Sequence, residues 1–166
     1  MNRDQTRPAG VVPGMTQNPV QLEESIEVAA PPVKVWSLLT DLPRMASWSP
    51  QVVKTVVRGP VRLGTRSYNL NRRGPLFWPT RSKVVRFEPH REFAFRVKDN
   101  RAIWSFSLEP TESGTRVVQR RETPDGISDI SLRLTKVALG GQEVFTGELR
   151  DGMRQTLERM KADAEA

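Results

Sequence analysis

Hydrophobic and polar residues first settle into a regular pattern at 20–28, where Val20, Leu22, Ile26 and Val28 share one parity and Gln21, Glu23, Ser25 and Glu27 the other. A period of two predicts a half-buried strand. Pro31 and Pro32 cannot continue that strand but suit the first turn of a helix. Val35, Trp36, Leu38, Leu39 and Leu42 then recur at helical spacing, with Pro43 as the expected stop and Trp48 a few residues beyond. Short runs at 51–58, 65–73, 78–88, 91–98, 101–109 and 115–123, separated by turn residues, predict an antiparallel meander. Phe145, Leu149, Met153, Leu157 and Met160 form one apolar stripe on a final helix spanning 142–164. Gly147 and Gly152 interrupt that helix, each costing roughly 1 kcal/mol against alanine, and allow either a bend or close packing.

Alternate residues of a strand face opposite sides, so the charged positions mark the solvent face. In 65–73, Arg66 and Arg72 turn outward, which places Ser67, Asn69 and Asn71 inside and exposes Tyr68 and Leu70. A slip or bulge of one residue there reverses the assignment. In 78–88, Arg81 and Lys83 face out, leaving Trp78, Thr80, Ser82 and Val84 inside. Phe93, Phe95 and Val97 make the apolar face of the next strand, opposite Ala94, Arg96 and Lys98, and Trp104, Phe106 and Leu108 do the same on the one after. In 115–123, Arg116, Arg120 and Glu122 point outward, and Thr115, Val117, Gln119 and Arg121 inward. The implied interior is amphipathic. An unpaired buried amide costs about 1–3 kcal/mol and an unpaired buried arginine more, so these groups bond one another and ordered water, or they meet a ligand.

Composition removes several chemistries. The 166 residues include one histidine and no cysteine, which excludes disulfides, thiolate- or imidazole-rich metal sites and Cys–His nucleophile pairs. No Asp/Glu cluster has ligand-like spacing, so no metal is expected. No phosphate-cradling glycine motif is present either, and no cofactor is expected; Gly140-Gly141 reads as a loop before the last helix. His90 reads as an exposed turn residue and Asp41 as a structural group near the end of the first helix. Asp125 and Asp129 read as solvated acids of a loop that could cover a pocket mouth. Residues 1–19, rich in Pro, Gly, Gln and Asn, read as a flexible tail ahead of one domain over 20–166. With no signal-like or membrane-spanning apolar run, the expected location is the cytoplasm.

The net charge of +7 is concentrated in the middle of the chain. Between Arg58 and Arg101 there are twelve Lys/Arg, against Glu88, Glu92 and Asp99. A solvated outer sheet face accounts for such a run, and a surface for anionic lipid or nucleic acid is the sharper alternative. No recognition helix or zinc-finger spacing supports sequence-specific nucleic-acid reading.

The order of motifs resembles the START-like (SRPBCC) superfamily, and within it the polyketide cyclase/dehydrase and lipid-transport branch. The resemblance rests on the Ala-Pro helix start, the Val-Trp-x-Leu-Leu-x-Asp run and the Trp48-x-Pro50 that follows. Further matches are Gly64, Asn71 and Gly74, Trp78, Glu88-Pro89, Trp104 to Pro110, Gly114-Thr115-Arg116-Val117, and Gly152-Met153 to Leu157; together they cover residues 20–165. It implies an α+β helix-grip fold: a curved antiparallel sheet of about seven strands around the long C-terminal helix, with two short helices after the first strand and a cavity between sheet and helix. Such a cavity would be lined by Asn69, Asn71, Trp78, Thr80, Ser82, Phe93, Phe95, Trp104, Phe106, Gln119, Arg121, Leu149 and Met153.

Two function classes follow, on a fold that is reused for many functions. One is a carrier or sensor for a hydrophobic or amphipathic small molecule, lipid- or polyketide-like. The other is a polyketide cyclase or dehydratase that works largely by holding a flexible substrate in one conformation. An inward Arg121 favours a carboxylate, enol or phenolate on the ligand. No inward acid or histidine stands out as a proton donor or acceptor, so the binding reading comes first. Catalytic residues and oligomeric state are not specified by the sequence.

Overall fold

The computed structural model describes residues 22–126 and 141–166. The expected tail at 1–19, Val20 and Gln21 of the first strand, Asp129 and Gly140 lie outside the described residues. Strand β1 (Leu22–Val28) leads into α1 (Pro32–Leu39), a 3-10 turn (Leu42–Arg44) and α2 (Met45–Trp48). Six strands follow: β2 (Val52–Val57), β3 (Arg66–Arg73), β4 (Leu76–Glu88), β5 (Glu92–Val97), β6 (Ile103–Thr111) and β7 (Gly114–Glu122). Helix α3 (Gln142–Glu165) closes the chain. The strands form one seven-stranded antiparallel sheet in the order β1-β7-β6-β5-β4-β3-β2, so the meander expected from the turn spacing is completed by the first strand pairing with the last. The curved sheet holds α3 in a helix-grip arrangement.

Pro31 caps α1 and Pro32 opens it, where a missing amide donor costs nothing. The helix is shorter than its apolar spacing suggests. It ends at Leu39, and Leu42 and Pro43 belong to the 3-10 turn. Proline suits the first turn of such an element as well as the end of a helix, which is why Pro43, second in the 3-10 turn, misplaces the boundary.

Val35, Trp36 and Leu39 of α1 are buried against the sheet. Trp36 meets Phe87 and Phe93 edge to face, with ring centroids 5.1 and 6.2 Å apart. Val84, Phe106, Leu108 and Val117 from the strands and Leu157, Met160 and Ala164 from α3 complete this core. The end of α3 is tied to the β1–α1 joint, where the Ala29 amide donates to Glu165 Oε1 at 2.7 Å and Lys161 Nζ to the Glu27 carbonyl at 2.7 Å.

Gly114 at the β6–β7 turn has φ +155°, and a Cβ there would lie 2.1 Å from the Val28 carbonyl oxygen. Only glycine lets the turn approach the end of β1 so closely. Beside it, buried Thr115 Oγ1 donates to the Ala30 carbonyl at 2.7 Å. Neither helix glycine plays that part: α3 runs through Gly147 and Gly152, and a Cβ on Gly152 would make ordinary contact with Pro50 at 3.5 Å.

Candidate functional site

The strand parity places side chains as the charge pattern implies. Ser67 and Asn71 of β3 are buried, while Tyr68 and Leu70 face out. The irregularities fall elsewhere, at Val52/Lys54 of β2 and Val84/Arg86 of β4. After the second of these, Arg86 faces out and Phe87 returns to the inner face.

At one end of the strands, where Asn71, Trp78, Val97, Trp104 and Arg121 lie, the inner face is not filled by α1. A cavity of about 780 Å³ lies there between sheet and α3. Its sheet wall includes Asn69, Asn71, Trp78, Thr80, Phe95, Trp104, Phe106, Gln119 and Arg121, and Leu149 and Met153 face them from α3. Two residues expected in the lining are not part of it. Phe93 is fully buried in the α1 core, 6.2 Å from Trp36. Ser82 lies behind Asn69, whose Nδ2 donates to Ser82 Oγ at 3.1 Å.

The polar groups of the two walls differ in how they are satisfied. On β2–β4, Thr55 Oγ1 donates to Asn69 Oδ1 at 2.8 Å, and Asn71 Nδ2 donates to the Trp78 carbonyl at 3.2 Å and to Thr80 Oγ1 at 3.0 Å. These amides are held by protein. On β7, Arg121 is only 5 % exposed, and among the described residues no carboxylate pairs with it. Its guanidinium lies over the Trp104 ring, 5.9 Å from the centroid, directly across the β6–β7 ladder. Burial pushes this guanidinium below its ordinary pKa, with no acid to restore it. Gln119 Oε1 nearby is also buried without a hydrogen-bond partner.

The rim is formed by the β3–β4 turn at Gly74, the β5–β6 loop at Asn100 and the first turns of α3. Across it Arg73 donates to both oxygens of Glu148, at 2.7 Å each. This pair keeps the Glu148 carboxyl below its ordinary value, chiefly through that hydrogen bond. Sequence patterning did not reveal the clamp, because 75 residues separate the partners and each looks like an ordinary surface charge. Thr55 was missed for a different reason: the bulge beside it disguises the parity of β2.

The other candidates fall outside the cavity. Trp36 is core, and Trp48 is buried with its indole N–H donating to Asp163 Oδ2 at 2.7 Å. His90 sits in the β4–β5 turn with φ 65°, edge-on to Trp36. Asp41 accepts from Arg44 at 3.4 Å, and Asp125 pairs with Arg96. Among the described residues no group of His, Asp and Glu could hold a metal ion, and no helix is long and apolar enough to cross a membrane.

Comparison with curated protein sequences finds no match. Solved structures share the architecture. The Polyketide_cyc-like protein Cgl2372 of Corynebacterium glutamicum is 28% identical, with 88% of this chain and 91% of that one covered and a TM-score of 0.57. The Zhui aromatase/cyclase of Streptomyces sp. R1128 is 16% identical, with 89% and 94% covered and a TM-score of 0.71. The protein TTHA0849 of Thermus thermophilus is 19% identical, with 88% and 99% covered and a TM-score of 0.63. The last two, at that identity, speak for the fold alone. The family model described as polyketide cyclase / dehydrase and lipid transport matches residues 19–165, and the chain belongs to that family.

Proposed function

We propose that the protein binds a hydrophobic or amphipathic small molecule in the cavity, with an acidic oxygen of the ligand against Arg121. One observation carries this reading. A guanidinium has been taken out of water at the wall of a cavity and left without an acid among the described residues. Removing an ion from water costs several kcal/mol, roughly, unless a counter-charge and hydrogen bonds offset it. A carboxylate, enolate or phenolate supplies both in planar geometry that suits arginine. Phe95, Phe106, Leu149 and Met153 supply the apolar surface for the remainder of the molecule. A volume of about 780 Å³ falls within the roughly 300–1,000 Å³ of small-molecule sites.

A second reading, cyclisation or dehydration of a polyketide-like substrate, is favoured by the same residue. Arg121 could polarise a carbonyl or stabilise an enolate, and the walls could hold a flexible chain folded. Proton transfer would then need a partner. Among the described residues the carboxylates at the cavity are Glu148 and Asp99, both at the rim and both paired with arginines. Binding therefore stands first.

The experiment compares the intact mass of freshly purified protein under native and denaturing conditions and identifies what is released. Arg121→Ala is then titrated with the same compound. A released acidic amphiphile that the variant binds about tenfold or more weakly, with its fold retained, is the expected result; the magnitude is that of a charge-assisted hydrogen bond. Unaltered affinity in a folded variant would refute the role of Arg121. Conversion of the compound by the wild type would move the assignment to the enzyme.

A further inference from the structure

The outward exposure of Tyr68 and Leu70 has a consequence on the far side of the sheet. Residues 42–87 contain ten Lys/Arg and not one Asp or Glu. The outer faces of β2, β3 and β4 gather much of this charge around apolar side chains. Across the ladder, Val56, Tyr68 and Arg81 lie in one row, Lys54, Leu70 and Pro79 in the next, and Arg72 beside Phe77 in a third. Tyr68 is 59 % exposed and Phe77 51 %. The loop between β2 and β3 adds Arg58, Arg62 and Leu63, the last 64 % exposed. Loop and strands together bound a surface groove lined by Val56, Leu63, Tyr68, Arg58, Arg62 and Arg66.

Most of these cations have no acid beside them among the described residues. Arg81 pairs with Asp99, but among the described residues no carboxylate pairs with Lys54, Arg58, Arg62, Arg66 or Lys83. Arg66 and Lys83 face each other across β3–β4, a like-charge pair that disfavours the sheet. The other half of the outer surface is built differently. Arg120 pairs with Glu23, Arg86 with Glu92 and Glu122, and Arg116 with Glu109, while Ala94, Ser105 and Val118 on that face are buried.

We propose that the outer face of β2–β4 with the β2–β3 loop docks the protein onto an anionic lipid surface. Unpaired cations attract anionic headgroups, and aliphatic and aromatic tips between them enter the boundary layer. Charge alone would serve a nucleic acid as well. The apolar members decide between the two. Leu63, Val56 and Leu70 offer a phosphodiester backbone nothing, and the Arg72 guanidinium occupies one face of the Phe77 ring at 5.2 Å, which leaves Tyr68 as the stacking surface without a cation over it. The amide and hydroxyl side chains of β3 and β4 that could read bases (Ser67, Asn69, Asn71, Thr80, Ser82) all face the opposite side of the sheet.

The test is flotation of the full chain with phosphatidylcholine vesicles, with and without phosphatidylserine, alongside the variants Leu63→Ser and Arg62→Ser/Arg66→Ser. All three positions are exposed, and thermal melting verifies that the variants fold. Partitioning should require phosphatidylserine and weaken as salt rises. It should fall roughly 25-fold in the double-arginine variant, about fivefold per cation removed, and severalfold in Leu63→Ser. Absence of partitioning at low salt overturns the proposal. So does partitioning indifferent to Leu63→Ser, which would be plain charge adhesion. Tighter binding to a single-stranded oligonucleotide than to the vesicles would overturn it in favour of a nucleic-acid platform.

Discussion

The inner face of the sheet has two ends, and β5 shows the difference within three residues. Phe93 and Phe95 are the same residue type on the same face, their rings 6.1 Å apart. Phe93 is packed under α1 in the dry core, whereas Phe95 lines the cavity. Neighbouring elements divide the same way. Val117 of β7 is core and Arg121 cavity wall; Met160 of α3 is core and Leu149 cavity wall. What separates the ends is where α1 lies. It fills one end and leaves the other to α3 and the segment from Leu42 to Gln51, which close a cavity over it instead of filling it. Stability and recognition are thereby assigned to different stretches of the same strands, so the open end can change its side chains without emptying the core.

The sharpest test of that division is a pair of truncations. Phe93→Ala should lose about 3–5 kcal/mol, the usual cost of an emptied aromatic site, and Phe95→Ala less than half as much, since its ring already borders open space. Urea unfolding of both variants measures the difference; equal losses would mean that the two ends form one core. Replacing Arg121 with methionine makes a smaller and opposite change. Removal of an unpaired buried charge should leave unfolding free energy unchanged or raise it by about 1–2 kcal/mol, and a clear loss would show the guanidinium to be structural. The smallest effect belongs to the rim. The Glu148 carboxyl is held below its ordinary value in the folded protein. Its contribution is therefore present above the unfolded carboxylate pKa and lost as pH falls through the folded value. Both partners of the clamp are substantially exposed, so Glu148→Gln should flatten the acid limb of the stability profile only slightly. A large shift at neutral pH would contradict this.

Much of this arrangement was legible in the chain because charge and period agree. Arg66, Arg72, Arg81 and Lys83 fix the outer face of β3 and β4, and the polar interior follows by parity. Arg121 could be assigned inward for the same reason. Period two cannot separate Phe93 from Phe95, because both satisfy it equally; the distinction is made by a helix about 60 residues earlier in the chain. Pro43 misled for a local reason, since it serves a 3-10 turn as readily as it stops a helix. The Arg73–Glu148 clamp is a tertiary meeting of two ordinary surface residues and leaves no periodic trace.

The close fit of Gly114 against Val28 bears on how the protein is made. β1 pairs with β7 along its length, from Leu22↔Arg121 to Val28↔Thr115, so on a ribosome β1 emerges well before the strand it pairs with. Until that strand follows, β1 has no sheet to join, and α1, which follows it, has only part of its floor. Sheet closure is thus a late event with a long loop to close, the kind of topology that folds slowly. A nascent chain cut short before residue 114 would carry an unpaired β1 and a bare β6 edge, both open to intermolecular pairing. The glycine that lets the turn nestle against β1 therefore stands at the step that ends the chain's most aggregation-prone interval.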